Sequence, residues 1–395
     1  MSTGARPRIL YLLTDELSRL LVRGQLGFLQ GEGFEVTVAS RWAAPDQPAD
    51  GWDEGVDLRH LPFRREPAVL DDLRALRATV ALIREVRPDI VNASTPKAGL
   101  IGMMAAWLCR VPVRVYVVRG LRVETARGLK RALLWSLERV ALACASRVIF
   151  NSRSLLRTAE RQRLIRPGRG EVLGAGSGNG IDVTRFDENT VSTAEARIEL
   201  GLAPDIPVIG FVGRLTNDKG VADLVHAFNM VLETGLDLQL LLVGGFEQGD
   251  PLSNDVRAEI ESHPRICHVG WLADPTAAYR AMDLLAFPSY REGLPNVPIE
   301  AQLCGVPVVG YAATGTVDAV KHPQGLVPVG HVAGLAGKIR CCLEGKHPAA
   351  DELRDWVIEK FDRTRVWNEL ASNYRQWLDS TGKTRLSAAR SKTKS

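Results

Sequence analysis

Two clusters of charged residues in the second half of the chain have the types and spacing to hold a phosphorylated, hydroxyl-rich ligand. The first is Gly210-Phe-Val-Gly-Arg-Leu-Thr-Asn-Asp-Lys-Gly220. An apolar run ends at Gly213, and the loop behind it carries Arg214 and Lys219 to a helix predicted to start near Val221. A helix start offers unsatisfied N–H groups, arginine a planar two-pronged donor and lysine a point charge, a set that suits a diphosphate. The plainer reading is a solvated loop. The second cluster is Glu292-Gly-Leu-Pro-Asn-Val-Pro-Ile-Glu300, two carboxylates across a strand end, a loop and a helix start. A carboxylate can accept two hydrogen bonds from a diol of the sugar or ribose type. Two glutamates at this spacing say little alone; they gain meaning from the Arg/Lys loop before them and from Ala301-Gln-Leu-Cys-Gly-Val-Pro-Val-Val309 after them.

A third candidate is Thr95-Pro96-Lys97. Threonine is a good N-cap and proline fits the first helical position, so the segment reads either as an ordinary helix cap or as a second anion site with Lys97 beside it. A fourth is a concentration of charge. Residues 110–169 hold fifteen Lys and Arg against Glu124, Glu138 and Glu160, a segment at +12 in a chain whose total is +4. Such asymmetry suggests an anionic partner surface. Within it, Leu129–Ala143 reads as a helix with Leu129, Leu133, Leu137 and Val140 facing inward and Arg131, Trp135 and Arg139 recurring on another face. A basic stripe around a tryptophan suits an anionic lipid surface, at roughly 1 kcal/mol per basic residue; the alternative is a solvated face with one half-buried ring. No nucleic-acid-binding module is present.

These residues need strands and helices to position them. Candidate strands are Ile9–Leu13, Glu35–Ala39, Ile90–Asn92, Arg114–Val118 and Arg147–Phe150, with helical spacing over Arg19–Gln30 and Val69–Val86. A second series follows at Val208–Val212, Gln239–Val243, Ile266–Val269, Leu284–Phe287 and Pro307–Gly310. Strands alternating with helices imply parallel sheets covered on both faces, and two series imply two doubly wound α/β domains. Ligands of such sheets bind beyond the carboxyl ends of the strands, where the Arg/Lys and Glu loops fall. The run Gly174-Ala-Gly-Ser-Gly-Asn-Gly180 is a hinge or tight turn at the junction. The expected organisation is a first domain over 1–180, a second over 181–360, a helical segment over 361–380, with Asp351–Phe361 and Arg365–Leu378 as helices, and a basic, disordered tail over 381–395.

Composition narrows the classes further. At 395 residues, 45% hydrophobic and 24% charged, the chain is an ordinary globular one. No apolar run reaches the about 18–20 residues that span a bilayer. The first apolar stretch is too short for a signal peptide, so a cytoplasmic location is expected. The six cysteines have no CxxC spacing and read as buried thiols, and the seven histidines form no HxH or HExxH pair, so no metal is expected.

In combination and order, these motifs resemble the retaining glycosyltransferases of family 4, which have the GT-B fold of two Rossmann-like domains and an interdomain cleft. Glu292–Val309 resembles the family's Glu-x7-Glu motif, Gly213–Gly220 its donor-diphosphate loop, and Gly178-Asn-Gly-Ile-Asp182 with Phe186 its interdomain junction. Thr95-Pro-Lys-Ala-Gly99 is similar to the subset that extends bacterial surface polysaccharides or glycans on a polyprenyl diphosphate carrier. The resemblance implies that Arg214 and Lys219 stabilise the departing diphosphate, that Glu300 binds ribose hydroxyls, and that Glu292 meets the transferred sugar. It implies that backbone at Gly213, Gly293, Leu294, Asn296 and Val297 lines the donor site and that Gly270-Trp271-Leu272 meets the base. Ser18, Arg19, Thr95, Lys97, Arg119 and Arg122 would form the acceptor side.

The implied reaction moves a sugar from a nucleotide diphosphate, a UDP-sugar by expectation, to a polyprenyl-diphosphate-linked acceptor at the inner face of the membrane, with no cofactor or metal. The expected partners are the nucleotide sugar, the lipid-linked glycan and an anionic membrane surface. Retention in this family resists the usual two-carboxylate scheme, and a front-face route assisted by the leaving diphosphate is favoured. Arg119 stands, after what reads as the fourth strand, where many relatives have histidine, and arginine cannot be a general base at neutral pH. Asp318 stands where relatives often have glutamate. Two rivals are a nucleotide-sugar 2-epimerase, which needs further acidic and histidine residues not found here, and a non-catalytic nucleotide-sugar-binding subunit. Intact Arg214, Lys219, Glu292 and Glu300 argue against the second.

Overall fold

The computed structural model describes residues 6–42, 51–53, 55–64, 68–186 and 192–382. Of the tail 381–395, all but the first two residues lie outside that set. The chain divides into two compact units, Met1–Gly180 with Arg363–Ser395, and Ile181–Asp362.

In the first unit β1 (Arg8–Asp15), β2 (Glu35–Arg41), β3 (Asp57–His60), β4 (Ile90–Ala93), β5 (Val113–Val118), β6 (Arg147–Phe150) and β7 (Gly170–Glu171) form one parallel sheet ordered β3-β2-β1-β4-β5-β6-β7. The central strands are buried on both faces: Ile9 through Leu13 are all sealed from water. A strand covered on both sides reads as an unbroken apolar run, which is why these strands were legible. The edges were not: β3 is polar and half-exposed and β7 has two residues, so neither presents such a run.

Helices α1 (Gln25–Gly31), α2 (Val69–Val86), α3 (Pro96–Leu108), α4 (Gly128–Cys144) and α5 (Arg153–Arg161) cover the sheet. The helix expected over Arg19–Gln30 is broken. A 3-10 turn spans Glu16–Leu21, and α1 starts only after Gly24, whose φ of 77° interrupts the helix and lets the Trp367 ring lie against its bare Cα.

The second unit adds α6 (Thr193–Glu199), α7 (Val221–Leu232), α8 (Asn254–Ser262), α9 (Thr276–Ala281), α10 (Asn296–Leu303), α11 (Thr316–Ala319), α12 (Val332–Leu343) and α13 (Ala350–Phe361). Its sheet comprises β8 (Val208–Val212), β9 (Gln239–Val243), β10 (Ile266–Gly270), β11 (Leu284–Phe287), β12 (Val308–Tyr311) and β13 (Leu326–Val327), ordered β10-β9-β8-β11-β12-β13. In both sheets the order reverses beside the unit's first strand, between β1 and β4 and between β8 and β11. That reversal opens a crevice at the carboxyl strand ends, the usual ligand position in such sheets.

The last helix, α14 (Arg363–Ser380), belongs to the first unit. Val366, Leu370, Tyr374 and Leu378 recur every fourth residue, and Trp367, Ala371 and Trp377 widen the stripe; all seven are buried in the core that also contains Ile9, Tyr11, Val36 and Val115. The Tyr374 and Tyr11 hydroxyls lie 3.0 Å apart, and Asn92 donates to Tyr374 Oη at 2.6 Å. Gly174–Gly180 forms turns within the first unit, with Gly176 N–H bound to Leu173 O and Gly180 N–H to Ser177 Oγ. Gly180, at φ 70°, lies where any side chain would collide with the Arg363 backbone, so the two crossings between units run side by side. All six cysteines are unpaired, but only Cys342 is fully buried.

Candidate functional site

The second unit gathers its charged residues at the reversal between β8 and β11. Three loops meet there because glycine permits it. Gly220, the cap of α7 at φ 70°, sits where a side chain would strike the Pro288 carbonyl just beyond β11, and a Cβ on Gly315 would press on the Gly293 carbonyl. Backbone bonds complete the joint: Tyr290 N–H to Asp218 O at 3.0 Å and Glu292 N–H to Thr314 O at 3.0 Å.

Lys219 and Glu292, separated by more than seventy positions, come together in this joint. Lys219 Nζ lies 2.5 Å from Glu292 Oε1, and Ser289 Oγ donates to the same oxygen at 2.8 Å. Both charged side chains are mostly shielded from water. Arg214 is placed differently. Its side chain is 55% exposed, bound to Glu247, and 3.8 Å from Asp218. Arg291 lies at the same distance from Asp218. Burial acts to raise the Asp218 carboxyl, but the Thr216 hydroxyl and the cations Lys219, Arg214 and Arg291 outweigh it and hold the group below the usual range. The joint therefore carries three cations, Lys219, Arg214 and Arg291, and three carboxylates, Asp218, Glu247 and Glu292.

Glu300 lies one turn further along α10. Tyr279 donates its hydroxyl to Glu300 Oε2 at 2.8 Å. Burial pushes the Glu300 carboxyl above its ordinary pKa, opposed by the Tyr279 bond and the charge of Arg185. Asp274, just past Gly270–Leu272, is close enough for its charge to raise Glu300 slightly, and it is itself paired with Arg185. The loop therefore runs near Glu300. Its Gly270 carbonyl accepts from Gly244 N–H at 2.7 Å, and the Trp271 ring is 76% exposed. Asn296 opens α10 behind Pro295, with Gly293, Leu294 and Val297 around it, and among the described residues no side chain caps that helix start. Gly213 N–H is spent on Val243 O.

The first unit repeats the arrangement between β1 and β4. Thr95 stands at the cap of α3, yet its hydroxyl bonds Thr14 Oγ1 at 2.6 Å and does not cap the helix. Lys97 Nζ is paired with Asp72 at 2.6 Å, so an anion there would compete with a carboxylate. Ser18 is bound to Asp15 through both its amide and its hydroxyl, and Arg19 donates to Glu16 O. Arg122 is exposed and shares a cavity with Lys97. Arg119 turns inward instead, donating to Leu21 O at 3.1 Å beneath Gly178; burial lowers its pKa to about 10, leaving it charged at neutral pH. Its strand is the fifth among the described residues, because the short β3 precedes it.

Helix α4 faces the opposite way from the one expected. Leu129, Leu133, Leu137 and Val140 are exposed, while Leu134, Trp135, Ala141 and Leu142 meet the core. The Trp135 indole N–H donates to Gln162 O at 2.9 Å, Arg139 stacks on that ring and donates to Arg163 O, and Arg131 donates to Val123 O. The Arg131/Trp135/Arg139 stripe is thus tied to its own unit. The helix is apolar on more than one side, so periodicity alone could not choose the buried face.

Four contributors escaped the sequence reading. Tyr279 is a buried residue within α9 and Ser289 a buried one just beyond β11, and Asp218 and Arg291 neighbour residues that were singled out. The available signal was the polar run directly behind β11, Ser289-Tyr-Arg-Glu292. Among the described residues no three histidine, cysteine, aspartate or glutamate side chains converge as a metal site, and no helix is long and apolar enough to cross a membrane.

Residues 206–345 match the family model described as "Glycosyl transferases group 1", and 22–176 match "Glycosyl transferase 4-like domain". The chain is 33% identical over 383 residues, 95% of its own length and 99% of the relative's, to the capsular polysaccharide biosynthesis glycosyltransferase CapM of Staphylococcus aureus. It is 26% identical, over 74% of its length and 76% of the relative's, to the UDP-Gal:alpha-D-GlcNAc-diphosphoundecaprenol alpha-1,3-galactosyltransferase of Escherichia coli. Among solved structures, the sucrose-phosphate synthase of Thermosynechococcus elongatus superposes with a TM-score of 0.78 at 22% identity, covering 95% of this chain and all of that one. HepE of Anabaena, in complex with UDP and glucose, superposes with a TM-score of 0.74 at 23% identity, covering 94% of this chain and all of that one. The structural likeness is one of fold, GT-B in both units.

Proposed function

The chain belongs to the group 1 glycosyltransferases, and from that premise we propose that it transfers a sugar, with retention, from a UDP-sugar to a polyprenyl-diphosphate-linked acceptor in surface polysaccharide synthesis. The observation that carries the reading is the Lys219–Glu292 pair with Ser289 at the β8/β11 reversal. It holds a positive charge and a hydroxyl-binding carboxylate in one fixed place, where a diphosphate and the sugar attached to it would lie.

Each residue then has a task. Lys219 and Arg214 stabilise charge as the diphosphate departs, with the α10 amides at Asn296 and Val297 assisting. Glu292, released from Lys219 when the diphosphate takes that cation, accepts hydrogen bonds from the sugar. Glu300, steadied by Tyr279, accepts from the ribose, and Gly270–Leu272 flanks the base. The acceptor side lies on the first unit, at Thr95, Lys97 and Arg122, with Ser18 and Arg19 across the β1/β4 reversal. Arg119 has a positioning role through the Leu21 carbonyl. No step requires a metal or an organic cofactor. The relatives support the lipid-linked acceptor: one is named for capsule synthesis and another for transfer onto a diphosphoundecaprenol-linked sugar. The HepE complexes, which hold UDP and glucose, support the donor class. With a lipid-borne acceptor the enzyme works at the inner membrane surface.

The test is transfer from a panel of UDP-sugars to a diphosphate-linked lipid acceptor. Lys219→Ala and Glu292→Ala should each lower kcat by about 10²–10³-fold, the scale of losing one transition-state contact. Unaltered turnover in either variant would reject the assignment. Binding of UDP-sugar without turnover in the unaltered protein would instead favour a binding subunit.

A further inference from the structure

The second unit has a cavity of about 520 Å³ at the opposite end of its sheet from the donor loops. It lies where β12 begins, at Pro307 to Val309, whereas the loops of the candidate site follow the carboxyl ends of β8 and β11. Val308, Val320 and Leu353 form apolar walls, and α12 adds Lys338, Cys341 and Cys342. A cavity of about 300–1,000 Å³ with mostly apolar walls and a few polar groups is the usual form of a small-molecule site. Gln302 of α10 also lines it, but its amide is already spent: it donates to Pro298 O and Ala319 O and accepts from Lys321 N–H.

The charge of the lining has one sign. Lys338, Lys346, His322 and His347 belong to it, and among the described residues no aspartate or glutamate does. The acids nearby have partners of their own: Glu352 is bound to Lys321 and His322, Glu344 to Lys346 and Arg340, and Asp283 to Arg197. Lys338 is half-buried, and among the described residues no carboxylate pairs with it. An ammonium group partly withdrawn from water and left unpaired favours an anion beside it. The helix dipole does not account for this cation. Lys338 stands five residues before the end of α12, and the dipole acts within the last turn. Nor does that helix end lack partners, since Gly345 and Lys346 N–H bond the Cys342 and Cys341 carbonyls.

We infer that this cavity is a second ligand site, for a small organic phosphate: the phosphate meets Lys338, with the exposed Lys346 and His347 at the rim, and the apolar body lies against Val308, Val320 and Leu353. Several cations and no acid suit a doubly charged group better than a singly charged one. The site does not depend on the glycosyltransferase reading, because none of its residues belongs to the β8/β11 joint.

Phenyl phosphate is the probe, with inorganic phosphate and phenol as its two halves, in calorimetric titration of the full chain. It should bind at least about tenfold more tightly than either half, because apolar burial and the contact to a charged group both contribute. Lys338→Gln puts another good helix former in place of the lysine. It should weaken phenyl phosphate binding about tenfold or more and leave the urea unfolding midpoint unchanged. A second measurement needs no variant. Cys341 is half-exposed and lines the cavity, so bound phenyl phosphate should slow its alkylation by iodoacetamide, read by peptide mass, while the half-exposed Cys109 and Cys144 of the first unit react as before. Absent binding, equal binding of the probe and either half, undiminished binding by Lys338→Gln, or an unprotected Cys341 overturns the site. Full displacement of the probe by UDP does so too, because the probe then occupies the donor loops. UDP affinity is titrated on the same samples, so failure of the donor reading shows separately from failure of this site.

Discussion

At Glu300 a buried carboxylate depends on one hydroxyl. Tyr279→Phe removes that bond without changing the ring, and an unsatisfied buried acceptor costs about 1–3 kcal/mol. If Glu300 holds the ribose as proposed, donor KM should therefore rise about tenfold or more with kcat much less affected, because that contact would be present in ground and transition states alike. Steady-state kinetics with varied UDP-sugar checks this. Glu138 gives a pH signature. Burial raises its carboxyl to about 7, only partly offset by the Tyr116 hydroxyl. Between the ordinary carboxylate range and that value the folded state binds the extra proton, so this group's contribution to stability falls as pH rises. Glu138→Gln should gain stability relative to the unaltered chain between pH 5 and 8, by up to about 3 kcal/mol. Urea unfolding at the two pH values measures it; an unchanged difference would contradict the assignment.

Among elements, the loops after β8 and β11 form a site only because Gly220 lets them touch. Gly220→Ala adds a methyl against the Pro288 carbonyl and forces a left-handed backbone on alanine. We expect about 1–3 kcal/mol of lost stability and weaker UDP binding, since Lys219 is the next residue and its distance to Glu292 must change. Calorimetric titration with UDP, alongside urea unfolding, checks both. The element lesson from α4 is the reverse one: its helical span was legible to within a residue, but its orientation was not. Leucines at 129, 133 and 137 and a buried set at 134, 141 and 142 are both proper helical faces, and the neighbours decided between them.

For the whole molecule, α14 is the consequential piece. Its seven buried side chains belong to the first unit's core although they follow the entire second unit in sequence. At about 1.5–3 kcal/mol for each large apolar group, losing the six large ones removes about as much as the about 5–15 kcal/mol by which a typical domain is stable. A chain ending at residue 362 should thus have an unfolded first unit, seen as rapid proteolysis before residue 180, while 181–362 expressed alone keeps its fold. Protection of the first unit in the truncated chain would show that α14 is dispensable.

The sequence by itself determined the two doubly wound sheets, because strands covered on both faces must be apolar throughout and strand-end loops must be polar. It also supplied the residue types of the proposed donor site, Arg214, Lys219, Glu292 and Glu300, since phosphate and hydroxyl recognition suit those groups just past β8 and β11. Only the tertiary structure decided that Lys219 meets Glu292 while Arg214 turns to Glu247, that Lys97 is neutralised by Asp72, that Tyr279 supports Glu300, and that the leucine ridge of α4 faces outward. Each of these depends on which distant segment lies alongside, and local periodicity, which reports only how often a side chain returns to the same face, contains no information about what that face will meet.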